Sequence, residues 1–335
     1  MIRSPRAAAA TRFVGWSVVA GGATSLAAAL AGRRARPLGI IGIAAQAALP
    51  WSALVALPVA AIGTFGRARR ARLRAMPVAA AVVGTAGIVV AARMAGPPPF
   101  APPAMPGTGA DRLLRVAHVN LLFINRKHDG GAEVLEALDA DVLAFSEYTP
   151  VLAVALEAGL ADRYPHRIDR AGPKSHGAAL WSRFPVTERA AAPMRHERVT
   201  ADVATPGGET VRVLVVHPVS PPHKLASWRT DMAILAADVP PAAVPAVMIG
   251  DFNATWLHPE LRSIVAAGWH SAHRQRGRGL VPSWPANRLY PPYLRIDHAL
   301  VNDRAAVLDV ADFTFPGSDH RGLVVTMGRV PPAAP

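Results

Sequence analysis

The sequence contains no cysteine, and its first 110 residues contain no aspartate, glutamate or lysine. The absence of cysteine excludes disulfide bonds and thiolate zinc sites. No HExxH sequence is present, so the helical zinc motif of metalloproteases is also excluded. A protein without disulfides is compatible with every cellular compartment, so cysteine usage does not locate this chain.

The positive charge is concentrated at the N-terminus. The chain carries a formal net charge of +13, and residues 1–110 hold twelve arginines. The rest of the chain therefore has 36 − 12 = 24 basic residues against 23 acidic ones, a net charge of +1. Proteins that bind a phosphate backbone concentrate Lys and Arg on the binding face. The near-neutral C-terminal part makes nucleic acid the less favoured partner.

Three apolar runs separate the arginine clusters of the N-terminal part. They cover about residues 13–32, 38–66 and 76–94. A membrane-spanning helix needs ~20 apolar residues. The pattern predicts a transmembrane region of about three helices in residues 1–95. Two alternatives are a set of buried soluble helices and a cleaved signal peptide that ends near residues 26–31.

The arginine clusters also predict an orientation. If three helices cross the membrane, the densest arginine cluster, at residues 67–74, lies on the same side of the membrane as the arginines of residues 3–12. The arginines of residues 33–36 then lie on the opposite side. Positive residues are retained in the cytoplasm. We therefore expect a multi-pass protein of the cell membrane whose C-terminal domain is extracytoplasmic.

A change of composition marks the domain boundary. Residues 96–110 are rich in proline and glycine and predict a semi-extended linker before a domain at residues 111–330. Short apolar runs predict strands at residues 114–121, 142–145, 178–182, 211–216, 244–249, 296–301 and 323–326. Helical periodicity predicts helices at residues 132–138, 150–158, 224–237 and 259–267. This alternation predicts an α/β or α+β layered domain.

Polar residues stand where the predicted strands end. They are carboxylates, amides and imidazoles: Asn120, Glu147, His217, Asp251, Asn253, Asp297, Asp319 and His320. Side chains at strand ends project into a shared crevice, so these groups are expected to converge. Hard oxygen ligands suit Mg²⁺ or Mn²⁺.

These residues lie in an ordered series of motifs. The series is VAHVN, FSE, GAALWSRFPV, VVHP, GDFNAT, RIDHALV and GSDHRGLVV. Over residues 112–328 it resembles the endonuclease/exonuclease/phosphatase superfamily of metal-dependent phosphoesterases, in its membrane-anchored bacterial type. The resemblance implies a four-layer α/β/β/α sandwich with two packed mixed sheets.

The resemblance also implies a role for each residue. Glu147 corresponds to the principal Mg²⁺ ligand, with Asn120 and Asp319 in support. Asp251 corresponds to the general base that activates water, and Asn253 to the amide that holds the phosphate and the water in line. His217 and His320 correspond to donors to the phosphoryl oxygens, with Asp297 orienting His320. In-line hydrolysis needs such a metal and such donors where charge accumulates.

Two positions depart from the family pattern or have no assigned role. Ser146 stands where the family commonly has Gln, which puts a hydrogen bond beside Glu147 in doubt. The VPSW sequence at residues 281–284 resembles a GPTW motif of membrane-linked relatives.

Taken singly, each candidate residue has an ordinary structural explanation, such as a helix cap or an Asx turn. Those explanations do not account for the whole series.

The substrate is less well specified than the reaction. A short, nearly neutral domain favours a small phosphoester or a lipid headgroup, and a membrane anchor would raise the local concentration of lipid. Alternatives are an extracytoplasmic metal-dependent nuclease and a binding module without activity. The arginines of residues 274–278 form a basic loop that is expected to contact an anionic substrate, a membrane surface or simply solvent.

Overall fold

The structure is a computed structural model, and it describes residues 17–27, 31, 34, 36–37, 39–48, 51, 78–86, 89, 112–238 and 243–330. The chain divides into two compact units. One comprises Met1–Met94 with Leu257–Pro259, and the other comprises Ala95–Trp256 with Glu260–Pro335.

The described part of the first unit is helical at residues 17–27, 39–48 and 78–86. Val19, Ala80 and Val83 form a small buried apolar cluster in this unit. Within the described residues, none of the helices combines the length and the apolar character that a bilayer crossing requires.

This finding corrects the predicted multi-pass membrane localisation and, with it, the expected membrane-embedded N-terminal region. The predicted spans were inferred from apolar composition, and apolar side chains also pack against one another, as Val19, Ala80 and Val83 do here. The arginine cluster at residues 67–74 and the predicted linker at residues 96–110 lie outside the described residues.

The second unit is built from two six-stranded sheets with helices between strands. In chain order the strands are β1 Arg112–Asn120, β2 Val142–Ser146, β3 His166–Arg170, β4 Ala178–Ser182, β5 Val186–Glu188, β6 Val199–Ala204, β7 Thr210–Val216, β8 Ala246–Asp251, β9 His270–Ser271, β10 Asp297–Val301, β11 Ala305–Thr314 and β12 Arg321–Arg329. The helices are α1 Gly131–Ala137, α2 Pro150–Leu160, α3 Pro221–Ala237, α4 Pro259–Ala266 and α5 Ala272–Gln275, with a 3₁₀ turn at Lys174–His176.

The two sheets share one plan. Their strand orders are β11-β12-β1-β2-β4-β3 and β5-β6-β7-β8-β10-β9. In the first sheet β1 and β2 are parallel, and in the second β7 and β8 are parallel, while the other strand pairs are antiparallel. Each sheet is therefore mixed, with a parallel pair near its centre.

The main core lies between the sheets. It contains side chains from both, such as Val116 and Leu180 of the first and Val213 and Ile249 of the second. A second core covers the other face of the first sheet, where α1 and α2 contribute Leu135, Leu152, Leu156 and Leu160. The mixed α/β fold with two packed mixed sheets, predicted from the motifs, is confirmed.

Several strands were not predicted from the sequence. These are β3, β5, β6, β9 and β11. β6 and β11 carry Asp202 and Asp312, whose charges suggest solvent-facing loops. In the structure both carboxylates pair with arginines, Asp202 with Arg212 at 2.7 Å and Asp312 with Arg295 at 2.6 Å. Pairing with a distant arginine makes a charged residue compatible with a sheet.

Candidate active site

The two parallel strand pairs deliver polar residues to one region. Asn120 ends β1 and Glu147 follows β2, while His217 follows β7 and Asp251 ends β8. The carboxyl ends of parallel neighbours lie at the same edge of a sheet, where ligands bind in open α/β folds. Antiparallel strands bring the remaining groups to the same edge. Asp297 begins β10 opposite Asp251, and Asp319 and His320 immediately precede β12.

Asn120 joins the two sheets through its side-chain amide. Its Nδ2 donates to Glu147 Oε1 at 3.1 Å and to Asp251 Oδ2 at 3.2 Å. Its Oδ1 accepts from the backbone N–H of Leu122 at 3.0 Å. One buried amide therefore holds a carboxylate from each sheet at a fixed separation.

Two site residues have left-handed backbone conformations. Glu147 has φ 56° and Asn253 has φ 50°. The Glu147 side chain accepts from Phe123 N–H at 2.8 Å, and the Asn253 backbone N–H donates to Asp251 Oδ1 at 2.8 Å. A non-glycine residue in this region costs of order 1–3 kcal/mol and persists where surrounding contacts enforce it, often at functional sites.

His320 forms a buried pair with Asp297. Its Nδ1 donates to Asp297 Oδ2 at 2.9 Å, and its Nε2 lies 3.7 Å from Asp251 Oδ2 and 3.8 Å from Asp319 Oδ1. Burial alone would lower the pKa of His320, but the charges of Asp297 and Asp251 raise it to about 10. His320 is therefore an imidazolium at neutral pH, with Nε2–H directed into the group of carboxylates.

The carboxylates themselves are crowded. Burial and repulsion from Asp297 and Glu147 raise the pKa of Asp251 to about 7, although the charge of His320 opposes the shift. Burial also raises the pKa of Glu147, and the charge of Asp319 adds to the effect. A raised carboxylate pKa in a cleft is typical of a general base or of a cation site.

His217 differs from His320 in its charge. Its Nε2 lies 3.6 Å from Asp251 Oδ2, beyond hydrogen-bond distance. Its pKa is lowered well below the ordinary value, because the side chain is fully buried and because His196 and His320 lie nearby. His217 is therefore a neutral imidazole, while His320 is the charged one.

Two sets of residues are candidates for holding a cation. Ligand atoms of Asp251, Asp297 and His320 all lie within 4.8 Å of one another. However, His320 already donates a proton to Asp297 and is positively charged, so this set fits a His–Asp pair better than a cation site.

The second set is Glu147, Asn120 and Asp319, the ligands predicted from the sequence. Asp319 Oδ1 is buried and has no hydrogen-bond partner, and burial, with a smaller contribution from the charge of Asp319, raises the pKa of Glu147. These hard oxygen donors fit Mg²⁺ or Mn²⁺.

Residues that were not assigned a role support the site. Ser283 Oγ accepts the backbone N–H of Ile296 at 3.1 Å and of Asp297 at 3.2 Å. Trp284 Nε1–H donates to Asp319 Oδ2 at 3.0 Å. Both belong to the VPSW sequence, and its resemblance to a family motif was the feature of the sequence that could have suggested these supporting roles.

The hydrogen-bond partner of Ser146, the residue before Glu147, is His118. The two side chains hydrogen-bond at 2.9 Å, and both are buried. His118 thus belongs to the interior beneath the site.

The arginines of the basic loop at residues 274–278 contact other residues of the protein. The Arg274 guanidinium lies 3.8 Å from the centre of the Trp256 ring, and Arg278 lies 3.6 Å from Asp312.

All of the site residues predicted from the sequence therefore lie in one connected group at the sheet edge. The model of the Endonuclease/Exonuclease/phosphatase family matches residues 117–320, which is more than half of the chain. No curated protein matches the chain significantly.

Solved structures show the same fold. Humanized D. rerio TDP2 has a TM-score of 0.54 at 14% identity and covers 64% of this chain and 98% of its own. D. rerio TDP2 complexed with single strand DNA product has a TM-score of 0.53 at 14% identity, and the match covers 64% of this chain and 98% of the other. An endonuclease/exonuclease/phosphatase from Beutenbergia cavernae DSM 12333 has a TM-score of 0.51 at 20% identity, and the match covers 67% of this chain and 73% of the other. At these identities the likeness concerns the fold alone.

Proposed function

Because this chain belongs to the endonuclease/exonuclease/phosphatase family, we propose that it hydrolyses phosphoester bonds with the help of Mg²⁺ or Mn²⁺. The proposed catalytic domain is residues 111–330, preceded by a linker at residues 96–110. The observation that carries the proposal is the buried His320–Asp297 pair, at 2.9 Å, beside an Asp251 carboxylate that Asn120 links to Glu147.

Asp251 is the proposed general base. Its raised pKa, about 7, makes it able to accept a proton from water near neutral pH. The backbone N–H of Asn253 fixes one oxygen of Asp251 at 2.8 Å, and the Asn253 side-chain amide donates to Pro218 O at 3.0 Å. This arrangement supports a role for Asp251 and Asn253 in orienting the attacking water.

His320 and His217 are the proposed donors to the phosphoryl oxygens. The charge of His320 is maintained by Asp297, so its Nε2–H is ready to stabilise negative charge that develops in the transition state. His217 contributes as a neutral donor. Both imidazoles lie near Asp251 Oδ2, with His320 Nε2 at 3.7 Å and His217 Nε2 at 3.6 Å.

Glu147, Asn120 and Asp319 are the proposed ligands of the divalent cation. When bound, such a cation neutralises phosphoryl oxygens and the departing oxygen. Trp284 orients Asp319 through its indole N–H, and Phe123 N–H orients Glu147. These hydrogen bonds preorganise the carboxylates before any cation arrives.

A small phosphodiester is the preferred substrate. The catalytic part has a net charge of +1, from 24 basic and 23 acidic residues after residue 110, which gives little attraction for a long phosphate backbone. A lipid headgroup was favoured both by the short, nearly neutral domain and by the expected membrane anchor, and no described helix provides that anchor. The alternative function is a metal-dependent nuclease, which is favoured by the likeness to D. rerio TDP2, whose structure holds a single strand DNA product.

The test is hydrolysis by the purified full-length chain with Mg²⁺ or with EDTA. The substrates are methyl p-nitrophenyl phosphate, p-nitrophenyl phosphate, and single- and double-stranded DNA. We expect turnover of the diester that EDTA abolishes, and a loss of about 10²–10⁴-fold in kcat for Asp251→Asn. The matched control is Asp129→Asn, whose fully exposed carboxylate lies outside the site. Turnover that persists in EDTA, or in Asp251→Asn, would contradict the proposal, and faster cleavage of DNA would favour the nuclease.

A further inference from the structure

The two proposed phosphoryl donors are held in place in different ways. His320 Nδ1 donates to Asp297 Oδ2 at 2.9 Å. His217 Nδ1 is buried and has no hydrogen-bond partner among the described residues, and His217 Nε2 lies 3.6 Å from Asp251 Oδ2, beyond hydrogen-bond distance. The χ2 torsion of histidine has broad energy minima, so rotamer preference does not fix the ring. The orientation of the His217 ring therefore depends on the side chains that pack against it.

A second buried imidazole packs against His217. The ring centres of His196 and His217 are 4.6 Å apart, and their planes are inclined at 46°. Both residues are buried. His196 has contacts of its own: its ring centre lies 5.0 Å from that of His176, and its Nε2 lies 3.4 Å from Ser175 Oγ. His196 therefore presents a supported ring surface to His217.

One carboxyl group fixes the backbone next to each of the two rings. Asp231 of α3 is buried, and its two oxygens accept the backbone N–H of Arg195 at 3.2 Å and that of Val219 at 3.1 Å. Arg195 precedes His196, and Val219 lies two residues after His217. Both partners are donors, so a carboxyl group, which has two acceptor oxygens, suits this position better than an amide, which has one. Asp231 therefore holds the two chain segments at a fixed separation.

The position of the His217 ring matters because a hydrogen-bond donor acts over a short distance. An N–H stabilises the developing phosphoryl charge when it lies about 2.7–3.1 Å from the oxygen that carries the charge. A misplacement of about 1 Å can lower a rate by about 10²-fold. Removal of the His196 ring would leave a cavity beside His217, into which the His217 imidazole can turn. The contact between the two rings is therefore expected to influence turnover.

Resting on the proposed hydrolysis, we propose that His196 is a positioning residue for His217. The buried His196 ring sets the angle of the His217 imidazole relative to Asp251, and Asp231 holds the two chain segments at the separation that this contact requires. His196 acts through the surface of its ring and not through its nitrogen atoms. An apolar side chain of similar size can therefore replace it, whereas a small side chain cannot.

The first test measures turnover of methyl p-nitrophenyl phosphate by the full-length chain with Mg²⁺. We expect kcat to fall by about tenfold or more in His196→Ala with little change in KM, because the lost alignment acts in the transition state. His196→Phe, which keeps a ring without nitrogen, should retain most of the native kcat, and His196→Leu is a second filling variant if His196→Phe does not fold. Native kcat in His196→Ala, or equal losses in the alanine variant and a folded filling variant, would overturn the proposal.

A double-mutant cycle tests whether His196 acts through His217. We expect the variant that combines His196→Ala with His217→Ala to be no slower than His217→Ala alone, whereas independent effects would multiply. The matched control is His176→Ala, the same change in the ring on the far end of the contacts from His217 to His196 to His176, and its kcat should stay close to native. Multiplicative losses in the double variant, or a loss in His176→Ala as large as in His196→Ala, would contradict the assignment.

The role of Asp231 is tested with a matched pair of carboxyl variants. Asp141 is likewise buried and accepts a backbone N–H, that of Arg115 at 2.8 Å, but it precedes β2, whereas the site follows the end of that strand. We expect Asp231→Asn to lower kcat and Asp141→Asn to lower only the free energy of unfolding. Equal kcat in the two folded variants would exclude this role of Asp231.

A measurement without turnover separates this proposal from the proposed hydrolysis. The His217 Hε1 resonance is followed in ¹H–¹³C spectra of the full-length chain and is assigned by its loss in His217→Ala. We expect one sharp signal in the native chain and in the filling variants, and a broadened or second signal in His196→Ala. A single sharp signal in His196→Ala refutes the positioning role alone, whereas absence of turnover on every ester refutes the proposed hydrolysis.

Discussion

Asp312→Asn is expected to destabilise the catalytic unit through a buried ion pair. Arg295 Nη2 lies 2.6 Å from Asp312 Oδ1, and the two side chains are only 6% and 5% exposed. Arg295 also donates to the backbone carbonyl of Asp297 at 3.1 Å. Removing the charge of Asp312 leaves a buried guanidinium without its counter-charge, next to the site.

The magnitude follows from the burial. Breaking a buried pair by removing one partner costs about 3–5 kcal/mol. Asn still accepts one hydrogen bond, so we expect a loss of about 3 kcal/mol in the free energy of unfolding, at the lower end of that range. The control is Asp309→Asn, the same change on the same strand at an exposed position. Substitutions of this kind at exposed positions change the free energy of unfolding by no more than about 0.5 kcal/mol.

The assay is urea unfolding of the full-length chain followed by tryptophan fluorescence. Burial would raise the pKa of Asp312, but His273 and Arg295 hold it well below the ordinary value. The stabilisation is therefore present above the unfolded-state pKa of about 3.9 and is lost as pH falls below it. We expect the two variants to differ at neutral pH and to converge in acid. Equal stabilities at neutral pH would refute the reasoning.

Three further predictions concern the site. Asp297→Asn removes the charge that raises the pKa of His320. The alkaline decrease of kcat/KM should therefore begin at a lower pH in this variant than in the native chain, and an unshifted pH profile would count against the role of the His320–Asp297 pair. Trp284→Phe removes the N–H that orients Asp319 and should weaken Mn²⁺ binding by about 10-fold in calorimetry; unchanged affinity would exclude this role. Gly317→Ala should lower the unfolding free energy by about 1–3 kcal/mol, since φ is +73° and the new Cβ would lie 1.9 Å from an amide oxygen; native stability in a thermal melt would contradict this.

The mixed α/β fold class could be predicted from the sequence, and so could the residues that the structure brings together at the candidate site. Short apolar runs predicted the central strands, and Asn120, Glu147, Asp251 and His320 could be named because each stands at or near a strand end and lies in a recognised motif. Chemistry restricts which residue types can serve at such positions, so an ordered series of acids, amides and imidazoles is informative. The apolar runs of residues 1–95 predicted membrane spans, and no described helix meets the requirements of one, because apolar composition does not distinguish a lipid-facing side chain from one that packs against another helix.

The tertiary structure alone decided how these groups differ from one another. His217 and His320 look equivalent in the sequence, yet one is neutral and the other charged, because only His320 lies against Asp297. The support from Trp284, the pairing of Asp312 with Arg295 and the contact of His196 with His217 were likewise not predictable. Charge state and burial depend on neighbours that are far apart in the chain, and a local pattern carries no record of which distant side chain will lie 3 Å away.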